Sequence, residues 1–338
     1  THPDAQLQFH ILYKPDLPPK KAGVGLARQL VMDEALYRLH LAGQPHGVIA
    51  GFDADSACAT NYLTSIAGHY SKHPHTKGTS IYFAHPLEGD AHPEEVYAYI
   101  RDYELYLRYY RMGLYHTGHP HAFHTIGSAF TVRADIYAQE GGMNKRKAGE
   151  DFYFLHKIIP LGGFYEQNGT AVYPSPRPSN RVPFGTGAAI SDMLEQKPAS
   201  YLTYHPLAFT TIRPFIKQAY KLLHGQSWQT LLPESPEKQQ IIDFLHDQKF
   251  PEALNKMLSH SPDYKVFHQR FFAWFTAFRM LKYLNHLHHV HFSKIPVDEA
   301  ATQMLKLQGI HKEGMPVDPT KLLKQYRRLD MEGLTKRT

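Results

Sequence analysis

A chain of 338 residues with 42% hydrophobic and 13% aromatic residues has enough apolar side chains for a packed core, which excludes global disorder. The formal net charge of +6 suits an anionic ligand or surface, but the chain has no dense block of Lys and Arg and no nucleic-acid-binding motif, so we expect no nucleic-acid partner. One cysteine, Cys58, excludes an internal disulfide framework, and no apolar run approaches the roughly 18 residues of a membrane span, so we expect a cytoplasmic protein.

The hydrophobic pattern predicts alternating strands and helices over the first 160 residues. The predicted strands are 6–14, 47–52, 80–87 and 128–132. The predicted helices are 25–41, 57–74, 92–115, one near 134–135 and one that starts near 150. Such an alternation is typical of a Rossmann-type, mostly parallel sheet flanked by helices, and we expect an α/β protein of this kind.

The second half of the chain has a different character. Residues 160–190 are dense in Pro, Gly and Ser and show no period. Further on, helical patterns occur at 235–248, 251–259, 264–289, 296–308 and 319–331. We therefore expect an α/β catalytic domain over 1–192 and a helical C-terminal domain over 193–338.

Asp53 and Asp55 follow the predicted strand at 47–52 directly. In an open parallel sheet, ligands bind at the carboxyl ends of the strands. Two carboxylates at such a point can hold Mg²⁺ or Mn²⁺, with waters and a diphosphate completing the coordination. The alternative is that Asp55 caps the helix that follows it.

Glu150 and Asp151 stand at the start of a predicted helix, after the glycine-rich basic loop GGMNKRKAG. Acidic residues are favoured in a first helical turn by the helix dipole. A carboxylate that faces a cleft from this position can also act as a general base. The sequence leaves both roles open.

Five motifs occur together in a fixed order: Gly25-x-x-Arg28, Asp53-x-Asp55, Gly127-Ser128 with Arg133, Gly141-Gly142 and Gly149-Glu150-Asp151. In this order they resemble the GT-A type nucleotide-sugar glycosyltransferases, particularly bacterial members of family 2, over about residues 20–190. The resemblance implies a metal-dependent hexosyltransferase of carbohydrate biosynthesis. Its donor would be a nucleotide sugar, and its acceptor a glycan, a lipid-linked molecule or a small molecule.

The resemblance also implies residue roles. Asp53 and Asp55 would hold Mn²⁺ or Mg²⁺ on the diphosphate, with His156 as a third ligand and His205 as its competitor. Asp151 would be the general base of an inverting displacement, and Glu150 would orient the acceptor or the base. The implied donor contacts are Arg28, Arg177 and Arg181, and the implied acceptor-side residues are Gly127, Ser128 and Gly149. The family's opening strand, which holds the nucleotide base, has no counterpart here, so we expect that part to be absent from this chain or strongly diverged.

Two other features bear on partners. Histidines cluster at 116–124 and 286–291, but they lack the ligand spacing of structural zinc sites. The aromatic run at 267–284 predicts a buried helix. Its basic residues Arg270, Arg279 and Lys282 leave open a surface for a lipid-linked or aromatic acceptor, and with it peripheral contact with the inner face of a membrane.

Two alternative functions remain. A strand followed by Asp-x-Asp also opens haloacid-dehalogenase-like phosphatases, in which the first aspartate is a covalent nucleophile. The downstream Gly149-Glu150-Asp151 motif favours the transferase over this phosphatase. A non-catalytic, carbohydrate-binding protein with a degenerate GT-A domain is the second alternative.

Overall fold

The structure is a computed structural model that describes residues 8–17, 22–146, 149–180, 185–310 and 318–333. Within these ranges the chain forms thirteen α-helices: α1 Val24–Leu41, α2 Tyr62–Lys72, α3 Glu94–Thr117, α4 Ala134–Gln139, α5 Glu150–Ile158, α6 Thr186–Gln196, α7 Pro206–Gln218, α8 Lys238–Asp247, α9 Phe250–Ser259, α10 Tyr264–Trp274, α11 Ala277–Val290, α12 Val297–Leu307 and α13 Pro319–Glu332. The strands are β1 Val48–Gly51, β2 Ala57–Cys58, β3 Gly78–Phe83, β4 Phe130–Arg133, β5 Phe164–Tyr173, β6 Leu202–Thr203 and β7 Ile295–Pro296. Strands β6 and β7 pair with each other, apart from the main sheet.

The main sheet is mixed, and the prediction of a GT-A-like, Rossmann-type, mostly parallel sheet is wrong. Its order is β1-β4-β3-β5-β2, and it curves into a half-barrel. β4 pairs antiparallel with both β1 and β3, β2 pairs antiparallel with β5, and only the β3–β5 pair is parallel. Alternating strands and helices build a parallel sheet when successive strands become neighbours. Here β4 is inserted between β1 and β3 and runs against both of them.

This insertion determines where the loops meet. Because β4 is antiparallel to β1 and β3, and β5 is parallel to β3, the strands β1, β3 and β5 run in one direction. The residues that follow β1 and β5 therefore come to the same edge of the sheet as the residues that precede β4. Although the sheet is not parallel, this edge still gathers the carboxyl ends of three strands.

Local predictions in the first 160 residues are confirmed for most elements and wrong for two. The helix predicted at 57–74 starts only at Tyr62, because Ala57 and Cys58 pair with β5 as the short strand β2. The strand predicted at 6–14 is wrong over its described residues, 8–14, which have no regular secondary structure. Phe9 and Ile11 in that segment are 76% and 91% exposed, so the β-forming side chains have no sheet to pack against.

Several elements have no counterpart in the sequence pattern, among them β5 and α7. β5 is the longest strand, but its register against β3 shifts between Ile81 and Tyr82, which places an irregularity around Asn168-Gly169 and hides the period of two. α7 carries prolines in its first turn and at Pro214. The helix predicted at 264–289 is two helices, because Thr276 caps a new helix by accepting from the Arg279 amide at 3.2 Å.

The long helix α3 lies at the centre of the molecule. It packs against α6, α7, α12 and α13, and its buried Leu105, Tyr109 and Met112 belong to one hydrophobic core with the C-terminal helices. The boundary expected between 192 and 193 lies inside α6. Among the described residues, no helix combines the length and the apolar character needed to cross a bilayer.

Candidate active site

The candidate site lies at the edge of the sheet where β1 ends and β4 begins. Asp53 and Asp55 follow β1, Gly127 and Ser128 precede β4, and α5 starts at Glu150. The helix α1 packs against both β1 and α5 at this place. Four segments that are distant in the sequence thus converge on one edge.

Arg28, in the second turn of α1, connects these segments. Its Nη2 donates to Asp53 Oδ1 at 2.5 Å, and its Nη1 donates to Glu150 Oε1. The Arg28 side chain is 10% exposed and that of Glu150 is 4% exposed, whereas that of Asp53 is 44% exposed. Burial by itself lowers the pKa of Arg28, but the carboxylates of Asp53, Glu150 and Asp151 outweigh it and raise that pKa. The guanidinium therefore stays charged and holds the carboxylates together.

The two acidic residues of α5 are less acidic than exposed carboxylic acids. Burial raises the pKa of Glu150, and the neighbouring Asp151 raises it further, against the opposing charge of Arg28. The pKa of Asp151 is raised chiefly by burial, with Arg28 again opposing. A carboxylate with a raised pKa is a stronger base, which suits a group that accepts a proton from a substrate.

Gly127 allows the close approach of Arg28 and Asp151. A Cβ atom at this position would lie 2.7 Å from Arg28 Nη1 and 2.8 Å from Asp151 Oδ2. Contacts this short force the neighbouring groups to move. A glycine is therefore required by packing, and not by backbone conformation, at the point where the polar groups meet.

The glycines of α1 and of the loop before α5 bring these two helices together. A Cβ atom at Gly25 would overlap the Arg146 carbonyl group. Gly149 has φ 65°, a left-handed conformation, directly before α5 begins. The Asn144 side chain ties the same loop to the helix by donating to the Glu150 carbonyl at 2.9 Å.

The second carboxylate of the Asp-x-Asp motif has its own cationic partner. Asp55 accepts from the Arg177 guanidinium, and the two side chains are 39% and 40% exposed. Arg181 lies outside the described residues. Ser128 is buried at the start of the turn into β4, and Arg133 binds Asp135 at the far end of that strand, away from the site.

The predicted third metal ligand does not join the aspartates. Within the described ranges, no group of three or more His, Cys, Asp or Glu side chains has the arrangement needed to hold a metal ion. His156 Nδ1 instead bonds to the Phe152 carbonyl at 2.6 Å, and the ring contributes to lowering the pKa values of His119 and His121. His205 caps α7 and stacks on Phe292.

A buried network of charges, which the sequence pattern did not predict, ties the helical region to the sheet. Arg111 Nη1 donates to Asp330 Oδ1 at 2.6 Å, and Arg108 donates both to Asp330 and to the Phe83 carbonyl at the end of β3. Glu104 accepts from Arg108 Nε at 2.8 Å. The spacing of Glu104, Arg108 and Arg111 at i, i+4 and i+7 on one face of α3 is the signal that could have revealed it.

The predicted aromatic helix region is buried on one side, as expected. Phe267, Phe271 and Phe272 of α10 lie in the main core. On α11, the Arg279 guanidinium lies over the Trp274 ring at 3.9 Å and the Lys282 amine over the Phe278 ring at 5.1 Å. These cations therefore cover aromatic rings near the surface.

We compared the chain with protein-family models, curated proteins and solved structures, and none of the three comparisons finds a match. Any function proposed for the chain must therefore be argued from its own residues.

Proposed function

We propose that the protein is an inverting glycosyltransferase that moves a hexose from a nucleotide-diphosphate donor to an acceptor hydroxyl. One observation carries the proposal. Arg28 bonds to Asp53 and to Glu150, which is 122 positions away in the sequence, and Gly127 brings Asp151 beside the same guanidinium. These are residues to which the sequence resemblance assigns donor, base and acceptor-side roles.

The exposed carboxylates suit a divalent cation that is shared with the substrate. Asp53 and Asp55 both reach the surface of the same edge, at 44% and 39% exposure. Mg²⁺ and Mn²⁺ are commonly bound by one or two protein carboxylates, with substrate phosphates and waters as the other ligands. Such a cation would neutralise charge that develops on the diphosphate.

The chain's own residues would supply the proton transfer. Asp151 accepts the proton of the acceptor hydroxyl while that oxygen forms its bond to C1 of the donor sugar. The bond between C1 and the phosphate oxygen breaks, its electron pair stays on the diphosphate, and the nucleoside diphosphate departs. Arg28 holds Glu150 and Asp53 in place, while the more exposed Arg177 is positioned to exchange Asp55 for a phosphate oxygen.

The two alternative functions make other demands on these carboxylates. A haloacid-dehalogenase-like phosphatase would use Asp53 as a covalent nucleophile, but the downstream motif here is Gly149-Glu150-Asp151 at the start of α5, with Glu150 bound to Arg28. A non-catalytic carbohydrate-binding protein would not need a carboxylate with a raised pKa beside a buried cation. The arrangement of Arg28, Glu150 and Asp151 therefore favours the transferase.

A screen of nucleotide sugars with and without Mn²⁺ tests the proposal. We expect the melting temperature to rise with one nucleotide diphosphate and Mn²⁺ together, and sugar transfer or slow donor hydrolysis with the corresponding nucleotide sugar. Asp53→Ala should abolish the Mn²⁺-dependent stabilisation. Asp151→Asn should retain donor binding and lose about 10²–10⁴-fold in turnover. Absence of donor binding, or hydrolysis of simple phosphate esters that requires Asp53, would contradict it.

A further inference from the structure

The helical C-terminal region contains an open cavity of about 680 Å³. It lies between a 3₁₀ turn at Ala219–His224 and the start of α10. A cavity of this size is within the range of about 300–1,000 Å³ found for small-molecule sites. None of its lining residues belongs to the candidate active site.

Two exposed tyrosine rings line this cavity. Tyr220 is 45% exposed and Tyr264 is 55% exposed, and both also line a second, adjoining cavity of about 140 Å³. An aromatic ring that is exposed in a concave surface offers a flat apolar face to a ligand while its hydroxyl group remains available for hydrogen bonds. Both rings thus line the two cavities.

The polar groups of the cavity are few and incompletely used. Ser261 lines the wall, but its Oγ is inaccessible to solvent and therefore cannot meet a ligand in the cavity. Asp263 Oδ1 accepts from the Val266 amide at 2.8 Å, and the second oxygen of this carboxylate can accept from another donor. His224 adds an imidazole to the lining.

We propose that this cavity is a binding site for a neutral saccharide of two or more pyranose units. A pyranose presents a face of C–H groups that packs on a tyrosine ring, and hydroxyl groups around its rim that bond to a carboxylate and an imidazole. A purely apolar ligand would cover the second Asp263 oxygen without giving it a hydrogen-bond donor. An anionic ligand would be repelled by the Asp263 carboxylate.

The saccharide site is separate from the proposed transfer reaction, and the two can fail independently. Asp151→Asn would slow sugar transfer by the factor expected above and leave binding in the cavity unchanged. Loss of the cavity tyrosines would abolish saccharide binding there, while the melting-temperature response to a nucleotide diphosphate and Mn²⁺ would persist.

Saturation-transfer NMR of the full chain with maltose, cellobiose and N,N′-diacetylchitobiose tests the proposal. We expect transfer to the protons of at least one disaccharide, and a loss of affinity of about tenfold in Tyr220→Ala and in Tyr264→Ala. Tyr220→Phe and Tyr264→Phe should keep most of the binding because the ring face remains. Ser261→Ala should leave binding unchanged, because the Ser261 Oγ is inaccessible to solvent.

Tyr37→Ala is the matched control, because Tyr37 is 57% exposed on α1 and does not line the cavity. It should bind the disaccharide as the unmodified protein does. The proposal is overturned if none of the three disaccharides gives a signal, or if the signal persists in the Tyr220→Ala/Tyr264→Ala double variant. It is also overturned if an apolar dye occupies the cavity and the disaccharides do not displace it.

Discussion

At the scale of single residues, the environment of each ion pair determines how much it contributes. Arg28 and Glu150 are nearly inaccessible to solvent, whereas Arg177 and Asp55 are about two-fifths exposed. A buried carboxylate that loses its cation remains in an apolar environment without compensation, while an exposed one is solvated by water. Two arginines at the same edge should therefore respond differently to removal.

We expect Arg28→Ala to lower the free energy of unfolding by about 3 kcal/mol, because it leaves Glu150 buried and unpaired. Arg177→Ala is the matched comparison and should change it by less than about 1 kcal/mol. Urea unfolding at neutral pH measures both. Equal effects of the two substitutions would contradict the burial argument, and Arg28→Ala/Glu150→Gln should recover part of the loss.

The raised pKa of Asp151 predicts both an activity profile and a stability effect. A base must be ionised, so kcat/KM should fall as the pH decreases through a pKa above the ordinary value of aspartate.

Because folding raises the pKa of Asp151, the folded protein favours the protonated acid, and ionisation at neutral pH opposes folding. Asp151→Asn should therefore unfold at higher urea concentration than the unmodified protein at pH 7, and this difference should vanish near pH 3. Asp192→Asn, a partly exposed aspartate of α6, should show neither effect.

At the scale of elements, α13 is held against α3 by charge as well as by apolar packing. Asp330 accepts from Arg108 and Arg111, and His124 Nε2 lies 2.9 Å from its Oδ2. Burial by itself raises the pKa of Asp330, but Arg111, His124 and Arg108 outweigh it and keep that pKa well below its usual range. The network thus fixes the register of two helices that are distant in the sequence.

We expect Asp330→Asn to lower the free energy of unfolding by about 3–5 kcal/mol, because two buried arginines lose their shared counter-charge. The exposed Glu332→Gln on the same helix should change it by less than about 1 kcal/mol. Since the folded pKa of Asp330 is depressed, its contribution is complete above the unfolded pKa of about 3.9 and is lost as the pH falls below it. Chemical unfolding of the variants at pH 7 and pH 3 measures this. An unchanged difference between the two pH values would argue against a charge effect.

At the scale of the whole molecule, buried histidines should make the protein sensitive to mild acid. Burial lowers the pKa of His116, His121 and His124 to about 4, and that of His119 to about 3. The unfolded chain binds protons at these residues near pH 6.5, whereas the folded chain does not. Stability should therefore be complete above pH 6.5 and should fall as the pH decreases toward 4.

We expect the free energy of unfolding to fall by at least about 3 kcal/mol between pH 7.5 and pH 5, since one pKa unit corresponds to about 1.4 kcal/mol. His119→Gln should reduce this pH dependence, because the glutamine amide does not titrate. The amide can still donate to the Phe275 carbonyl, which His119 Nε2 contacts at 2.7 Å, so the contact is kept. The exposed His260→Gln should leave it unchanged. A stability that is constant between pH 7.5 and pH 5 would contradict the prediction.

The sequence by itself determined the elements with strong periods and the residues that approach one another at the candidate site. The helical period of α12 and the apolar run of β1 are local signals. The order of the motifs predicted one shared site for Arg28, Asp53, Glu150 and Asp151. Their predicted roles remain proposals. The bulge in β5 concealed that strand, because a shifted register breaks the alternation on which strand prediction depends.

Only the tertiary structure decided the direction of the strands and the partners of the buried charges. β4 lies between β1 and β3 because strands from distant parts of the sequence pair there, and no local pattern predicts that pairing. The same holds for Asp330, which meets Arg108 across 222 positions, and for His156, which faces other histidines instead of Asp53. The hydrophobic period of a segment indicates which of its faces is buried. Which other segment covers that face depends on the packing of the complete chain.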